Sequence, residues 1–500
     1  MDSHSSVTPY RIFPFGFLLE FSYLCYQQYK GKPVRKIRFG TDGWRAIIAE
    51  DFTFPRVRAV AQALATYLIE TEQTERAVAV GYDTRFLSAQ FAHAIAEVLA
   101  SNGVPTLLSV APCPTPVLSF AVAQRRLAAG VMVTASHNSW MYNGVKFKGD
   151  YGGPLLVSAT RGIEQRLNKS RPVPRSELIA RNLQKVDFFS EYLRQLHLLV
   201  RVDGLQGLVV YDAMHGAGSG YGAKLFRAFG IPVTTIARRR DPYFGGRVPE
   251  PIPANLSWLG HEVRKRGAVL GMATDGDADR CGVLDEQGRF VELHELFALL
   301  FDYLLDSRGW SGCVVRTTSM ADTVDCLAAK RGRRVVEVPV GFRNVCQEML
   351  EGEVLLGGEE SGGIGFKHHI PERDGLLTML LVAEMLASKG VPMSALVQQL
   401  RQECGACSYR RVDIAGSPRL FRQNLMRLRA NPPERVGGVQ VERVSLMDGL
   451  KLYFANRTWM LMRVSETEPA ARIYVSSPDA TAVGQLLKAG QRLLERLNRH

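Results

Sequence analysis

The sequence predicts an α/β protein, with three similar α/β domains built on mixed, mostly parallel sheets and a smaller C-terminal α+β domain. Three observations carry this. From Phe39 onward, segments of helical period alternate with short apolar strands, a pattern that favours right-handed crossovers and parallel pairing. The same rhythm restarts at "GLVVYDAMHG" from Gly207 and at "GCVVRTTS" from Gly312. From about Ser408 it breaks, leaving a helix near Pro418–Ala430, strands "WMLMRVS" and "ARIYVSS", and a closing helix from about Ala480. A chain of 500 residues exceeds what one core supports. The boundaries fall at 37–185, 186–290, 291–407 and 408–500, after an atypical extension over 1–36.

In the first repeat, Val57, Val60, Ala61, Leu64 and Leu68 share one helical face, and "AVAVGY" from Ala77 reads as a buried strand. Ser88 is placed to cap the helix "AQFAHAIAEVLA", with Gly103 just past its end. "TLLSV", a helix around Val117–Ala128, and the strand "VMVTA" follow. In the second repeat, "HGAGSG" from His215 lacks both nucleotide-loop spacings and reads as a tight strand-to-helix turn. "RRRDPYFGGRVPEPIP" is a long loop punctuated by Gly and Pro. The extension contains "RIFPFGFLLEFSYLCYQQY", which is aromatic and apolar but too short and interrupted to span a bilayer. It reads as a peripheral addition, with no firm sign of a membrane partner.

Composition narrows the function classes. With 46% apolar and 22% charged residues, the chain is an ordinary globular one. A net charge of +13 suits anionic ligands. There is neither zinc-finger spacing nor an aromatic-interleaved basic stripe, so no nucleic acid is expected. Of the 8 cysteines only Cys404 and Cys407 are close in sequence, and they read as two reduced thiols in a linker. A reducing, cytoplasmic setting and a monomer or weak homodimer are expected.

The strongest chemical signal is "TDGDADRCG". Asp275, Asp277 and Asp279 alternate, so an extended backbone would point all three carboxylates the same way. Such a cluster repels itself unless a cation neutralises it, and oxygen-only donors favour Mg²⁺. A calcium EF-hand loop is disfavoured because Arg280 stands where that loop needs Gly, and because strands flank the motif. Ser136 lies in the turn after "VMVTA", beyond the carboxyl end of a strand, where ligands of such sheets bind. The flanking glycines of a hydrolase elbow are missing. Asn143, Gly144 and Lys146 follow, and Lys146 can fold back as a proton-transfer group or phosphate clamp. In "LGGEESGGIGF", Glu359 and Ser361 offer an acceptor and a donor suited to paired sugar hydroxyls. In "RVSETEPAAR", Arg463, Ser465, Thr467 and Arg472 suit a phosphate dianion. "FGTDGWR" and "GYDTR" bring arginines to strand ends, placed to position the serine turn.

Taken in order, the serine turn, "DGDADR", "GEESGG" and "RVSETEP" resemble the α-D-phosphohexomutase superfamily, the phosphoglucomutase and phosphomannomutase enzymes, from about Phe39 to the C-terminus. The resemblance implies four domains around one large cleft. It implies that Ser136 carries a phosphoryl group whose oxygen joins Asp275, Asp277 and Asp279 around Mg²⁺. Lys146 resembles the general base, with His137 and Arg45 assisting. Glu359 and Ser361 resemble the sugar readers, and Arg463, Ser465 and Thr467 the clamp for the phosphate that is not being transferred. Arg280, Arg343 and Arg472 complete the implied substrate-binding set. The implied substrate is a phosphorylated hexose, glucose before mannose or glucosamine, with glucose 1,6-bisphosphate as intermediate and activator. A Mg²⁺-dependent sugar phosphatase and a non-catalytic sugar-phosphate-binding protein are the competing readings.

Three positions depart from the family pattern. Ser139 replaces a proline after Ser-His-Asn, which is expected to loosen the turn. Gly363 lies where some relatives carry a histidine. Glu466 adds a negative charge to the phosphate loop.

Overall fold

Strands β2 (Val78–Tyr82) and β4 (Ala129–Val133) are apolar along most of their length because helices cover both faces of their sheet. With β3 (Thr106–Ser109) and β6 (Leu183–Val186) they form a parallel set. β5 (Tyr142–Lys148) turns back antiparallel onto β4, and β1 (Trp44–Ile47) pairs antiparallel with β5. The order is β1-β5-β4-β2-β3-β6, and the edge strand β6 carries polar Gln184 and Lys185. The computed structural model describes residues 36–169, 176–465 and 470–496. The N-terminal extension, but for its last residue, lies outside them.

The second sheet orders as β10-β9-β7-β8, with β7 (Val209–Asp212), β8 (Val233–Ile236) and β9 (Leu270–Thr274) parallel and β10 (Cys281–Leu284) antiparallel. The third repeats this as β12-β11-β13-β14, with β11 (Cys313–Thr317), β12 (Val335–Val338) and β13 (Val354–Gly358) parallel and β14 (Ile364–Phe366) antiparallel. Each repeat therefore contains one corner where a buried parallel strand reverses into an antiparallel neighbour: β4–β5, β9–β10 and β13–β14.

The last domain is an antiparallel sheet, β15-β21-β20-β19-β18, beside a small ribbon of β16 (Arg435–Val436) and β17 (Val439–Gln440). Its strands are β15 (Ser408–Ala415), β18 (Arg443–Ser445), β19 (Leu450–Phe454), β20 (Thr458–Val464) and β21 (Ala470–Ser477). Helices Pro418–Ala430 and Ala480–Arg496 cover one face, burying Met460, Met462, Ala471, Ile473 and Val475. Period-two alternation puts Arg463, Arg472 and Tyr474 on the other face. The fold class is as the sequence predicts.

Two local expectations change. The helix beginning at Ser88 has no side-chain cap; the Ser88 hydroxyl donates instead to buried Asp83 at 2.7 Å. Cys404 is not a reduced partner of Cys407: it forms a disulfide with Cys326, 78 residues away, tying helix Thr323–Lys330 to helix Met393–Cys404. Closing a loop of that length is worth up to about 4 kcal/mol. Cys326→Ser should lower the denaturant midpoint accordingly, and thiol titration should find two more thiols after reduction of the wild type.

No single helix among the described residues is long and apolar enough to cross a membrane. The apolar helix Gly375–Lys389 is buried from Gly375 to Leu386 in the core and starts beneath the β9–β10 corner, its Gly375 amide donating to the Ala278 carbonyl at 3.2 Å.

Candidate functional site

The β4–β5 corner holds Ser136 in a left-handed backbone conformation, φ 51°, which an L-residue adopts only when its surroundings impose it. Those surroundings centre on Arg85, a fully buried guanidinium. It donates to the carbonyls of Ser136 (2.5 Å), Asn138 (2.7 Å), Ser139 (2.8 Å) and Tyr142 (3.1 Å), and its Nε donates to Asp83 at 3.0 Å. Asp83 also receives the Thr134 hydroxyl at 2.6 Å, and the Thr134 oxygen accepts the Ser136 amide at 2.8 Å. Arg45 donates to the Asn138 side chain at 2.7 Å. The loosening expected from Ser139 is thus opposed, since Arg85 holds the carbonyl of that residue.

The β9–β10 corner packs directly onto this turn. A Cβ at Gly276 would collide with the Ser136 carbonyl, so only glycine permits the approach. The three aspartates do not alternate along an extended strand. Residues 275–280 form a turn with Ala278 at φ 58°, and this curl gathers the carboxylates, one oxygen from each within 4.8 Å of the others. Asp275 accepts the Ser136 hydroxyl at 2.8 Å through Oδ2 and the amides of Asp279 and Arg280 through Oδ1. Burial, with Asp279 and Asp277 alongside, pushes the Asp275 carboxyl well above the usual range.

Lys146, on β5, is also buried and donates to Asp277 at 2.8 Å and Asp279 at 2.9 Å, with Asp42 at 3.0 Å. Burial alone would lower its pKa, but Asp277, Asp279 and Asp42 more than offset this and hold it above the ordinary lysine value. In this arrangement Lys146 is the cation shared by the three carboxylates. His137 behaves in the opposite way. Burial, with Arg280, Arg45, Arg411 and Arg472 nearby, holds its ring well below the usual imidazole range, and Nδ1 lies 3.3 Å from the Ser136 hydroxyl.

Lys146 uses only the Oδ2 atoms. The Oδ1 atoms of Asp277 and Asp279 are buried without a hydrogen-bond partner. Orphaned carboxylate oxygens at such depth are costly unless something else satisfies them. The all-oxygen donor set of Asp275, Asp277 and Asp279 fits a hard divalent cation.

Above these groups opens a cleft lined by Asp42, Arg45, His137, Arg280, Glu359, Ser361, Arg373, Arg411, Arg463, Ser465 and Arg472, among others. The β13–β14 corner supplies Glu359 and Ser361 and closes on Gly362, φ 86°. The β20–β21 connection supplies Arg463, Ser465 and Arg472. Thr467 and Glu466 lie outside the described residues. Arg463 is directly opposite Arg472 across the strands, and Arg472 opposite Asp413. Asp448 and Asp413 hold the two guanidiniums at 3.1 and 3.4 Å.

Arg343 is not brought to this cleft. It follows Phe342 on helix Phe342–Glu351, and the turn of about 100° per helical residue points it elsewhere while Phe342 lines the cleft. Arg343 lines a small recess next to the cleft, which shares Thr41 and Asp42 with it, beside Phe39, Gly43 and Phe147, and donates to the Gly40 carbonyl at 3.1 Å. Asp42, Arg373 and Arg411 are among the cleft residues not singled out by sequence. Asp42 sits inside the quoted "FGTDGWR" and pairs with Lys146 and Arg373. Arg411 is opposite Tyr474, two residues along β15 from Asp413, and the alternation "YRRVD" is the signal that would have found it. Arg373 has no local signal.

The chain is similar to known proteins along most of its length. Models of the α/β/α domains I, II and III of phosphoglucomutase/phosphomannomutase match residues 36–173, 187–288 and 293–404. A phosphoglucomutase/phosphomannomutase of Thermococcus kodakarensis is 31% identical over 91% of this chain and 98% of its own. A Methanothermobacter thermautotrophicus protein assigned as a phosphoglucosamine mutase is 33% identical over 87% and 92%. A solved structure from Thermus thermophilus, assigned as a phosphomannomutase, superposes with a TM-score of 0.82 at 34% identity, covering 93% of this chain and all of that one. With three domain models in register and relatives matched nearly end to end, the chain belongs to the phosphoglucomutase/phosphomannomutase family of the phosphohexomutase superfamily.

Proposed function

We propose that the protein interconverts hexose 1-phosphate and hexose 6-phosphate, with Ser136 as the phosphoryl carrier and a hexose 1,6-bisphosphate as intermediate. The observation that supports this most directly is the junction of two corners, where the Ser136 hydroxyl rests 2.8 Å from Asp275 beside two orphaned carboxylate oxygens.

Asp275, Asp277 and Asp279 would hold Mg²⁺, which when bound supplies Lewis-acid neutralisation of the transferring phosphoryl group. The chain's own residues do the rest. Arg85 fixes the serine turn, and phosphoryl transfer depends mainly on such positioning and on charge neutralisation. His137 is the neutral group within reach of the reacting oxygen, and Lys146 contributes fixed positive charge. Glu359 and Ser361 read sugar hydroxyls, and Arg463, Ser465 and Arg472 hold the phosphate at the far end. The sugar oxygen attacks the phosphoserine phosphorus as the P–Oγ bond breaks, and the sugar hydroxyl proton ends on Ser136 Oγ with His137 placed to relay it, giving the bisphosphate and a free serine hydroxyl. After the sugar reorients, Ser136 Oγ attacks the other phosphorus, the P–O bond to the sugar breaks, and the serine proton passes to the departing sugar oxygen. A cytoplasmic location and a monomeric or weakly dimeric state belong to the same reading.

Glucose is the hexose favoured by the sequence motifs. The relative assigned as a phosphoglucosamine mutase supports a second reading, with an amino sugar as substrate. Turnover of glucose, mannose and glucosamine 1-phosphates by one preparation, with the matching bisphosphate, separates them by kcat/KM. Phosphate release at the rate of isomer formation would instead indicate a phosphatase, and tight binding without turnover of any of the three would overturn catalysis.

Arg411 extends the far clamp to a third strand. Charge-assisted hydrogen bonds contribute about 1.5–3 kcal/mol, so Arg411→Ala should raise KM for the preferred hexose phosphate by at least about tenfold with a smaller change in kcat. An unchanged KM would remove Arg411 from the clamp.

A further inference from the structure

We infer that Arg373 is a positioning residue that orients both a cation ligand and a sugar reader, and that Gly363 is what admits it to the site. This rests on the proposed function for the roles of Asp279 and Glu359, but not for the geometry. The Arg373 side chain is almost fully buried and reaches carboxylates from three separate segments. Nη2 donates to Asp42 at 2.6 Å and lies 2.9 Å from Oδ2 of Asp279; Nη1 donates to Oε2 of Glu359 at 3.3 Å. The guanidinium carbon is 5.4 Å from the centre of the Phe342 ring. Among the described residues, Arg373 is thus the cation that joins the β9–β10 corner to the β13–β14 corner within the cleft.

The division of oxygen atoms matters. On Asp279, Arg373 and Lys146 both take Oδ2, whereas Oδ1 accepts no hydrogen bond and has only Arg280 Nε nearby, at 3.9 Å. A carboxylate gripped by one oxygen presents the other in a fixed direction. The partners of ligating groups tune metal affinity in this way, and losing one costs about 10–100-fold. On Glu359 the same guanidinium grips Oε2, so a single planar fork sets the orientation of both acids.

Gly363 provides the space. A Cβ there would collide with Cδ and Cγ of Arg373. Any side chain at 363 would therefore displace the arginine. The glycine that departs from the family pattern and the arginine that fills the gap form one unit.

Positioning and simple electrostatics predict different results. A nearby positive charge repels Mg²⁺, so removing it would favour binding. The informative variant keeps the charge and loses the fork. Arg373→Lys should weaken Mg²⁺ binding about tenfold, measured by calorimetric titration of the full chain with Mg²⁺ alone. Gly363→Ala, which leaves every charged group in place, should weaken it in the same direction. At saturating Mg²⁺ the kcat of each variant should recover while KM for the hexose phosphate that is turned over stays raised severalfold. Thermal melts supply the control. If both variants melt lower but bind Mg²⁺ as the wild type does, Arg373 is a structural residue and the inference fails; if one does not fold, the titration of the other decides. A wild type that binds Mg²⁺ yet turns over no hexose phosphate would refute the proposed function and leave the Arg373 titration standing.

Discussion

Ser136→Ala should leave a folded protein whose mutase turnover is lower by roughly 10⁵-fold or more, the scale on which loss of a catalytic nucleophile acts. The hydroxyl makes one close hydrogen bond, to Asp275, and alanine meets the same left-handed backbone that serine does. Stability should fall by about 1–3 kcal/mol, because the buried Asp275 oxygen loses its donor. Coupled assays report turnover, and intact mass after incubation with glucose 1,6-bisphosphate reports the phosphoryl group. The wild type should gain it and the variant should not. Wild-type turnover by the alanine variant would sink the assignment of Ser136 as carrier.

Arg85→Met should do damage of another kind. The side chain makes no contact with the open cleft; it is buried beneath the serine turn, with its charge facing Asp83 and its donors on four carbonyls. Replacing it strands a buried carboxylate, at a cost of about 3–5 kcal/mol. It also releases the carbonyls that hold Ser136 at its unfavourable φ. The denaturant midpoint should fall at unchanged slope, and phosphoserine formation should drop by at least about 10², the penalty for misplacing a reacting group by an ångström. Arg85→Lys should restore little, because an ammonium cannot reproduce a planar fork across several acceptors. A lysine variant as stable and as active as the wild type would show that charge alone suffices at this position.

The contrast between these two residues shows what the sequence reveals and why. Ser136, the three aspartates, Glu359 and Ser361 lie in short runs whose residue types already suggest their chemistry. Arg85 lies in a quoted run too, and Asp83 is its neighbour there, yet the four carbonyls it holds begin 51 residues further along the chain, and its function depends on how β2 and β4 lie side by side. Arg373 is more hidden still. It follows an unremarkable Pro-Glu pair and reaches back 331 residues to Asp42. The aspartate cluster is legible for a partly wrong reason: alternation suggests an extended strand, whereas the left-handed Ala278 makes the curl. Arg343 is misplaced by its sequence context because a helical arginine beside a cleft residue faces about 100° away from it. Lys146 is located correctly in sequence, but its charge state is set by Asp42, Asp277 and Asp279, the last two lying 131 and 133 residues away. The Cys326–Cys404 bond belongs with these long-range contacts.

The recurrence of one strand reversal in three sheets has an evolutionary corollary. A duplicated corner inherits its geometry, and each copy is then free to acquire its own side chains: Ser136 in the first, Asp275, Asp277 and Asp279 in the second, Glu359 and Ser361 in the third. Such a division of labour decouples two kinds of change. The third copy can drift toward a new monosaccharide while the first two keep the phosphoryl chemistry intact.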